Sequence, residues 1–432
     1  MFLPFSIFSR FTSNALWSLS GAIFLRGSTL LATIFVARII GKEAFGEYAI
    51  VQNTLMMIAT ITGVGLSMTG TKYVAGYTDI NKLGRIISLI ICTSLISGLL
   101  GSSLIYFLSD IISEKVLQTA KLKDYFFIGA TAVVFNVIIS AITGVLSGLN
   151  KFKDLAIINL IVGFSTFSLL LLLSNSYGVY GAIIGFVLSA IINCLLCLFF
   201  LYRYCAVAQI QINFMTSWTE YSILTKFSLP TVIGNVVVML AVWISNILIV
   251  KQTVGGYSEL AIINAALQWQ NAILFVPNTL TPVILTALSK SYTERSYKDY
   301  SNVIKLSFYV TCLVSGCICL ILFFFADSLM GLYGTNFSIY GLVLKLIIIS
   351  SFLISINNVI GQILASIGTM WTGFMFNLCW AMVFSISSFY GIKYYGLYGL
   401  AWAYILSYFI HSVWQFSFIY FKIKKSNSDF AL

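Results

Sequence analysis

The sequence predicts an all-α polytopic membrane protein: twelve transmembrane helices in two pseudo-symmetric six-helix lobes around a central cavity. Three observations predict it. Of the 432 residues, 59% are hydrophobic and only 9% charged, where an ordinary soluble domain carries roughly 25% charge. The mean hydropathy is +0.98. The apolar residues also gather into runs that meet the roughly 20 residues a helix needs to cross the hydrocarbon core. A water-soluble protein and a disordered chain are both excluded. The formal net charge of +11 does not require nucleic acid, because membrane topology accounts for it.

The runs lie near 15–37, 48–70, 84–108, 125–147, 155–174, 179–202, 229–250, 260–288, 303–325, 342–366, 372–392 and 399–421. Met1–Arg10 lacks a charged n-region and a clear cleavage site, so it reads as an interfacial segment before a retained first helix and not as a signal peptide. The longest connection, Arg203 to Ser228, divides an N-terminal lobe (1–203) from a C-terminal lobe (229–432) through a cytoplasmic linker (204–228). Lysine and arginine set the orientation. With the N-terminus inside, the outer segments hold seven of the 24 basic residues: Arg38, Lys42, Lys115, Lys121, Lys123, Lys251 and Lys393. Arg26 and Lys345 fall inside spans, and the remaining fifteen are cytoplasmic. Both termini are therefore expected on the cytoplasmic side.

The two halves resemble each other. Phe45-Gly-Glu-Tyr-Ala-Ile-Val-Gln52 matches Tyr257-Ser-Glu-Leu-Ala-Ile-Ile-Asn264 at an offset of 212, and Tyr177-Gly-Val-Tyr-Gly181 matches Tyr395-Gly-Leu-Tyr-Gly399 at 218. At that second offset Asn159 meets Asn377 and Asn193 meets His411. Each half holds an even number of helices, so the repeats enter from the same side and relate by an axis along the membrane normal. That arrangement places a substrate site near the midplane between them.

Arg26 is the most informative residue. It lies midway along the first span, where a charge costs at least about 2.5–3.5 kcal/mol. It is expected to face a wet cavity and meet an anionic group of the substrate, or to bond carbonyls or a carboxylate within the bundle. Lys345 sits near the outer end of helix ten and can snorkel; a substrate contact is the second reading for it. No acid lies deep in a span, which favours an anionic cargo over a cationic one. Glu47 and Glu259, repeat-matched at the starts of helices two and eight, complement helix dipoles there.

Uncharged polar residues form stripes. Asn264, Gln268 and Asn271 share a face of helix eight; Asn235 and Asn246 align on helix seven; Asn358 and Gln362 pair on helix ten. Such amides bond between helices or line a wet, sugar-compatible cavity, and the latter is expected for some of them. Pro277 and Pro282 should kink or break helix eight. His411, with Ser407 and Gln415 on its face, reads as a satisfied interior histidine ahead of a proton-coupling site. Trp243, Trp269 and Trp380 lie within spans, and any that face the cavity could stack on sugar rings. The eight cysteines lie in or beside apolar runs and behave as small hydrophobes; Cys194 and Cys197 form a lone CxxC with no second pair, so no metal or other cofactor is expected.

Ala37-Arg38-Ile-Ile-Gly41-Lys-Glu-Ala-Phe45-Gly46-Glu-Tyr48 is similar to the "aRxlGxxxfGxy" stretch of bacterial polysaccharide flippases. Lys72-Tyr-Val-Ala75, Gly144-Val-Leu-Ser-Gly148-Leu-Asn-Lys-Phe152 and Tyr177-Gly-Val-Tyr-Gly181-Ala resemble their downstream motifs, in order. The chain thus resembles, over essentially its whole length, the Wzx-type O-antigen flippases of the multidrug/oligosaccharidyl-lipid/polysaccharide (MOP) exporter superfamily. That resemblance implies a non-enzymatic transporter moving an undecaprenyl-pyrophosphate-linked oligosaccharide to the periplasmic leaflet, working as a monomer, with polysaccharide polymerase and chain-length proteins as potential partners. A drug or cation antiporter of the same superfamily is the alternative. A membrane polysaccharide polymerase is a weaker one, since no large outer loop is present and no DxD motif marks a metal-dependent glycosyltransferase.

Overall fold

In lipid, a backbone must satisfy its own polar groups. The computed structural model is helical accordingly, with no strand among the described residues. The structure describes residues 5–63, 65–76, 79–211, 217–221, 229–293, 297–367 and 369–429. The chain divides into two compact units, Met1–Val236 and Val237–Leu432.

The first unit contains α1 (Phe5–Ile40), α2 (Lys42–Thr62), α3 (Leu66–Gly76), α4 (Ile80–Asp110), α5 (Leu122–Gly148) and α6 (Phe152–Val207); α4 runs on as a π-helical stretch, Ile111–Val116. The stretch apolar enough to span begins at Leu19, but the helix that holds it reaches back to Phe5. The reason is local: residues 5–20 hold no proline or glycine to stop it. α1 lies along α6 through small residues, Gly21 against Ala156 and Gly163 against Phe24 and Ser28. Gly144 and Gly148, four residues apart on α5, let α3 approach in the same way, the second within 2.8 Å of the Gly70 carbonyl were it to carry a Cβ. Small residues at such spacing let helix backbones touch in a medium that supplies no hydrophobic drive. Ile86, Ile90, Ile142, Val145, Cys194 and Cys197 share the core of this unit. A short 3-10 turn, Ser217–Glu220, is tied to the start of α4 by the Arg85–Glu220 ion pair at 3.5 Å.

The expected single span at 48–70 is two helices. α2 stops at Thr62 and α3 begins at Leu66, with a 42° bend between them. Gly63 and Gly65 flank the break, and Gly65 has φ of 61°, a conformation that glycine adopts without steric cost.

α7 (Leu229–Gln252) begins at the end of the first unit and lies mostly in the second, which also contains α8 (Tyr257–Thr293), α9 (Tyr297–Phe324), two short helices α10 (Ala326–Gly331) and α11 (Thr335–Ser338), α12 (Gly341–Ser366) and α13 (Met370–Asp429). α12 is its centre and packs on α8, α9 and α13. Leu288, Val359, Ile360, Ile363 and Ile419 form a core among them. Of the expected kink or break, the break does not occur: α8 is helical from Tyr257 to Thr293. Each ring removes a single ladder bond, and the neighbouring threonines bond back onto the helix. Thr279 Oγ1 donates to the Val276 carbonyl at 2.6 Å and Thr281 Oγ1 to the Pro277 carbonyl at 3.4 Å.

α6 and α13 are each a pair of spans folded back on one residue. Gly178 has φ 59° and ψ −134°; Gly396, 218 residues later, has φ 54° and ψ −133°. After the turn, Gly181 abuts Leu173 and Gly185 abuts Leu169; in α13, Gly399 abuts Gly391 at the position equivalent to Leu173. The paired residues run in opposite directions about the turn, which is the signature of antiparallel halves. Counting each half, the broken α2–α3 pair and α7, the described helices supply twelve segments, six per unit. The internal repeat is therefore structural, down to the backbone angles of its turn.

This turn generates a test. A side chain at φ near +55° with that ψ costs about 1–3 kcal/mol. Gly178→Ala and Gly396→Ala should each lower the thermal midpoint of the detergent-solubilised protein. Gly373→Ala, where a Cβ meets nothing within 4 Å, should leave it unchanged or raised. Equal midpoints for all three would refute the account of the turn.

Candidate functional site

The first unit carries a cavity of about 460 Å³ where α2 breaks. Thr60, Ser67, Asn136 and Ser140 contribute its polar lining, with Met56 and Met68 as flexible apolar walls. Gly63 and Gly65 reach it as well. A helix broken beside a cavity can turn backbone groups towards whatever occupies that space, which is why broken helices recur at transport sites. Asn136 Nδ2 donates to the Ala132 carbonyl at 2.8 Å. None of these polar residues was singled out from the sequence. Their signal was the Gly-Val-Gly interruption at 63–65 in an otherwise helical run.

Arg26 lies in the middle of α1 and is exposed. Gly21, Phe24 and Ser28 mark the side of α1 that packs on α6. At 100° per residue, Arg26 projects from the opposite side. Arg38 and Lys251 close the last turns of α1 and α7, as their repeat relation suggests.

The matched acids do more than complement dipoles. Glu47 is buried and accepts from Lys121 Nζ at 3.2 Å. Burial lowers the Lys121 pKa, but the Glu47 hydrogen bond and charge more than offset this and leave it above the usual lysine value. Glu259 instead accepts the Leu397 backbone N–H at 3.1 Å, so it caps the span that follows the Gly396 turn. The flippase-like stretch around Glu47 has a structural reading: Gly41 (φ 84°) allows the turn from α1 into α2, and Ala37, Phe45 and Tyr48 are buried there.

In the second unit the amides divide. Asn264 is buried and donates to its own helix, to the Leu260 carbonyl at 2.9 Å; Gln268 is half-buried and Asn271 exposed. Asn246 is buried, with Oδ1 unmatched by any protein donor. The side chain of Asn235 lies outside the described residues. Asn358 does not pair along its helix with Gln362; its Nδ2 donates across to Asn278 Oδ1 on α8 at 2.9 Å, and Gln362 is half-buried. Lys345 is held by Asp327 at 3.0 Å, so an acid of its own unit answers its charge. Trp380 is fully buried and stacks on Phe384 at 4.9 Å; no face of it is open to a sugar.

His411 belongs to a buried polar cluster that the sequence revealed only in part. Its Nε2 lies 2.8 Å from Gln415 Nε2. Beside it, Ser412 Oγ donates to Asn357 Oδ1 at 2.9 Å. Asn357 Nδ2 and Gln415 Oε1 are buried without a protein partner, the setting in which buried water is commonly held, while the His411 ring also meets the Phe376 backbone. Gln270, also missed, reaches Ser350 Oγ at 3.4 Å.

A family model described as "Polysaccharide biosynthesis protein" matches residues 11–285. The chain belongs to that family. A second model, MatE, matches residues 230–391. Among curated proteins, the stage V sporulation protein B of Bacillus subtilis (strain 168) is 26% identical over 328 residues, covering 70% of this chain and 63% of that protein. The chain therefore spans less than two thirds of that relative's length. Among solved structures, an inward-facing multidrug resistance MATE family transporter of the MOP superfamily aligns over 95% of this chain and 99% of its own, with TM-score 0.76 and 13% identity. A MOP superfamily transporter from Pyrococcus furiosus aligns over 96% of this chain and 95% of its own, with TM-score 0.69 and 13% identity. At such identity these show the fold. With the family match and the apolar helices, they give the chain a multi-pass, all-helical membrane fold.

The cavity in the first unit should be wet. In a chain whose eight native cysteines are replaced by alanine, Ser140→Cys and Thr60→Cys should react with a membrane-impermeant maleimide about tenfold faster than Phe164→Cys, exposed on apolar α6, because thiolate chemistry needs water. Equal, slow labelling at all three would make the cavity a dry packing defect.

Proposed function

We propose that this protein flips an undecaprenyl-pyrophosphate-linked oligosaccharide repeat unit, of O-antigen or a related surface polysaccharide, from the cytoplasmic to the periplasmic leaflet of a bacterial inner membrane. The observation that carries the reading is Arg26: a guanidinium at mid-span, exposed on the side of α1 away from α6. A charge at that depth costs at least about 2.5–3.5 kcal/mol unless it meets water or a counter-charge. A pyrophosphate is a fitting anionic partner at that depth, because guanidinium binds phosphate oxygens in a bidentate fork. The hydroxyl- and amide-lined cavity of the first unit suits a glycan, whose own hydroxyls both donate and accept. The lipid tail stays in the bilayer throughout, and the lobes exchange inward and outward access by rocking. The protein supplies no bond-making groups in this scheme, in keeping with a transporter.

The second reading is a drug or cation antiporter, and the MatE match over 230–391 favours it. The absence of mid-span acids from the sequence weighs against cationic cargo. Polymerase partners and the coupling role of His411 belong to the first reading.

The test is Arg26→Ala beside Arg26→Lys in a strain whose surface polysaccharide depends on this protein. At equal expression, Arg26→Ala should cut export about tenfold, roughly 1.4 kcal/mol of lost transition-state or binding energy, and lipid-linked repeat units should accumulate. Arg26→Lys, which keeps the charge but loses the fork, should fall between. Normal export by both variants would remove the ground for the pyrophosphate contact. Ethidium efflux restored by the wild-type protein, without polysaccharide export, would establish the second reading.

A further inference from the structure

The second unit has an apolar groove of about 330 Å³ between α9 and α12. Gly316, Cys319, Leu320 and Phe323 form one wall, and Ile348, Ile349 and Phe352 the other. Leu320 and Ile349 are exposed at its lips. The groove is open at position 316, where a Cβ would meet only Phe352, at 3.8 Å. From Phe323 to Gly316 is seven residues, about 10 Å along the helix, or roughly two thirds of one leaflet of a 30 Å hydrocarbon core. One end of the groove is charged. Lys345 Nζ stands 5.9 Å from the centre of the Phe323 ring and 3.0 Å from Asp327 Oδ2. Both charges lie at helix ends, where lipid headgroups sit.

We propose that this groove is a binding site for a phospholipid with a zwitterionic amine headgroup, phosphatidylethanolamine in chemical class. One acyl chain lies along the groove, the phosphate meets Lys345, and the primary ammonium meets Asp327. A lone lysine would select an anionic lipid. The adjacent carboxylate, the more exposed of the two side chains, repels net negative charge and offers a partner to an ammonium. Bilayer phospholipid is also far more abundant than any isoprenoid carrier, and mass action fills an unselective apolar groove with the commonest chain. The site is separate from the proposed substrate contacts and does not depend on the polysaccharide reading.

The experiment is native mass spectrometry of the full-length protein in equimolar palmitoyl-oleoyl phosphatidylethanolamine and phosphatidylglycerol. The wild type should retain one phosphatidylethanolamine in preference to phosphatidylglycerol by about fivefold, a modest difference of affinities. Gly316→Leu, which fills the groove without a clash, should lose most of the retained lipid. Asp327→Asn, nearly isosteric, should lower the phosphatidylethanolamine to phosphatidylglycerol ratio about fivefold. Retention unchanged in Gly316→Leu would place the chain elsewhere, and a ratio unchanged in Asp327→Asn would mean that the ion pair does not read the headgroup. Equal retention of both lipids by the wild type, or displacement of phosphatidylethanolamine by equimolar undecaprenyl phosphate, would each overturn the assignment.

Discussion

A backbone in hydrocarbon has no water to bond with, and this constraint governs the rest of the structure. It makes nearly every described residue helical and concentrates departures from helix at a few glycines. Gly41 turns α1 into α2, Gly63 and Gly65 flank the α2–α3 break, and Gly178 and Gly396 fold α6 and α13 back on themselves. Each departure has its own reason. The tight turns bring antiparallel halves into contact with almost no intervening loop, so few carbonyls and amides are left unpaired near the interface. The α2–α3 break does two things: it sets α3 against α5 through Gly144 and Gly148, and it borders a cavity with polar side chains.

Charge follows the same constraint. The ion pairs Lys121–Glu47, Lys123–Asp110 and Lys345–Asp327 stand at or near helix ends, where interfacial water lowers the cost of desolvation. An exposed pair such as Lys123–Asp110 contributes little to stability; the value of the Lys345–Asp327 pair is in position and selection, as in the headgroup site proposed at the ends of α10 and α12. Arg26 differs from these pairs in depth, since it lies near the middle of a 36-residue helix.

Spans and duplication were legible because they depend on composition and on short motifs at fixed offsets, both of which survive in one dimension. What stayed hidden depends on contacts between distant segments. Asn358 and Gln362 are aligned on one helix face, yet Asn358 bonds Asn278, 80 residues away. Lys345 could be read as snorkelling, but the acid that holds it lies on α10, before two turns and a short helix. Glu47 and Glu259 invited a shared dipole reading; one bonds a lysine side chain and the other a backbone amide. The break at 63–65 was overlooked because hydrophobicity continues across it, and hydropathy cannot distinguish an apolar helix from an apolar bend. Asn357 was passed over beside Asn358, although adjacent residues on a helix point 100° apart and serve different neighbours.

The duplicated halves keep one backbone plan while their chemistry diverges, and one pair of positions makes this concrete. Asn193 and Cys197 on α6 correspond, at the 218-residue offset, to His411 and Gln415 on α13. In each half the two side chains are four residues apart and bond to each other, Cys197 Sγ donating to Asn193 Oδ1 at 3.4 Å and Gln415 Nε2 meeting His411 Nε2 at 2.8 Å. The slot is the same, but the first half fills it with a thiol and an amide inside an apolar core, and the second with an imidazole in a cluster that still has buried donors and acceptors to satisfy. A symmetric scaffold needs no such difference for stability. The first half carries the mid-span cation and the hydroxyl-lined cavity, and the second carries the one histidine of the chain. The matched positions thus hold different polar chemistry on one backbone plan, an amide and a thiol in one half and an imidazole and an amide in the other.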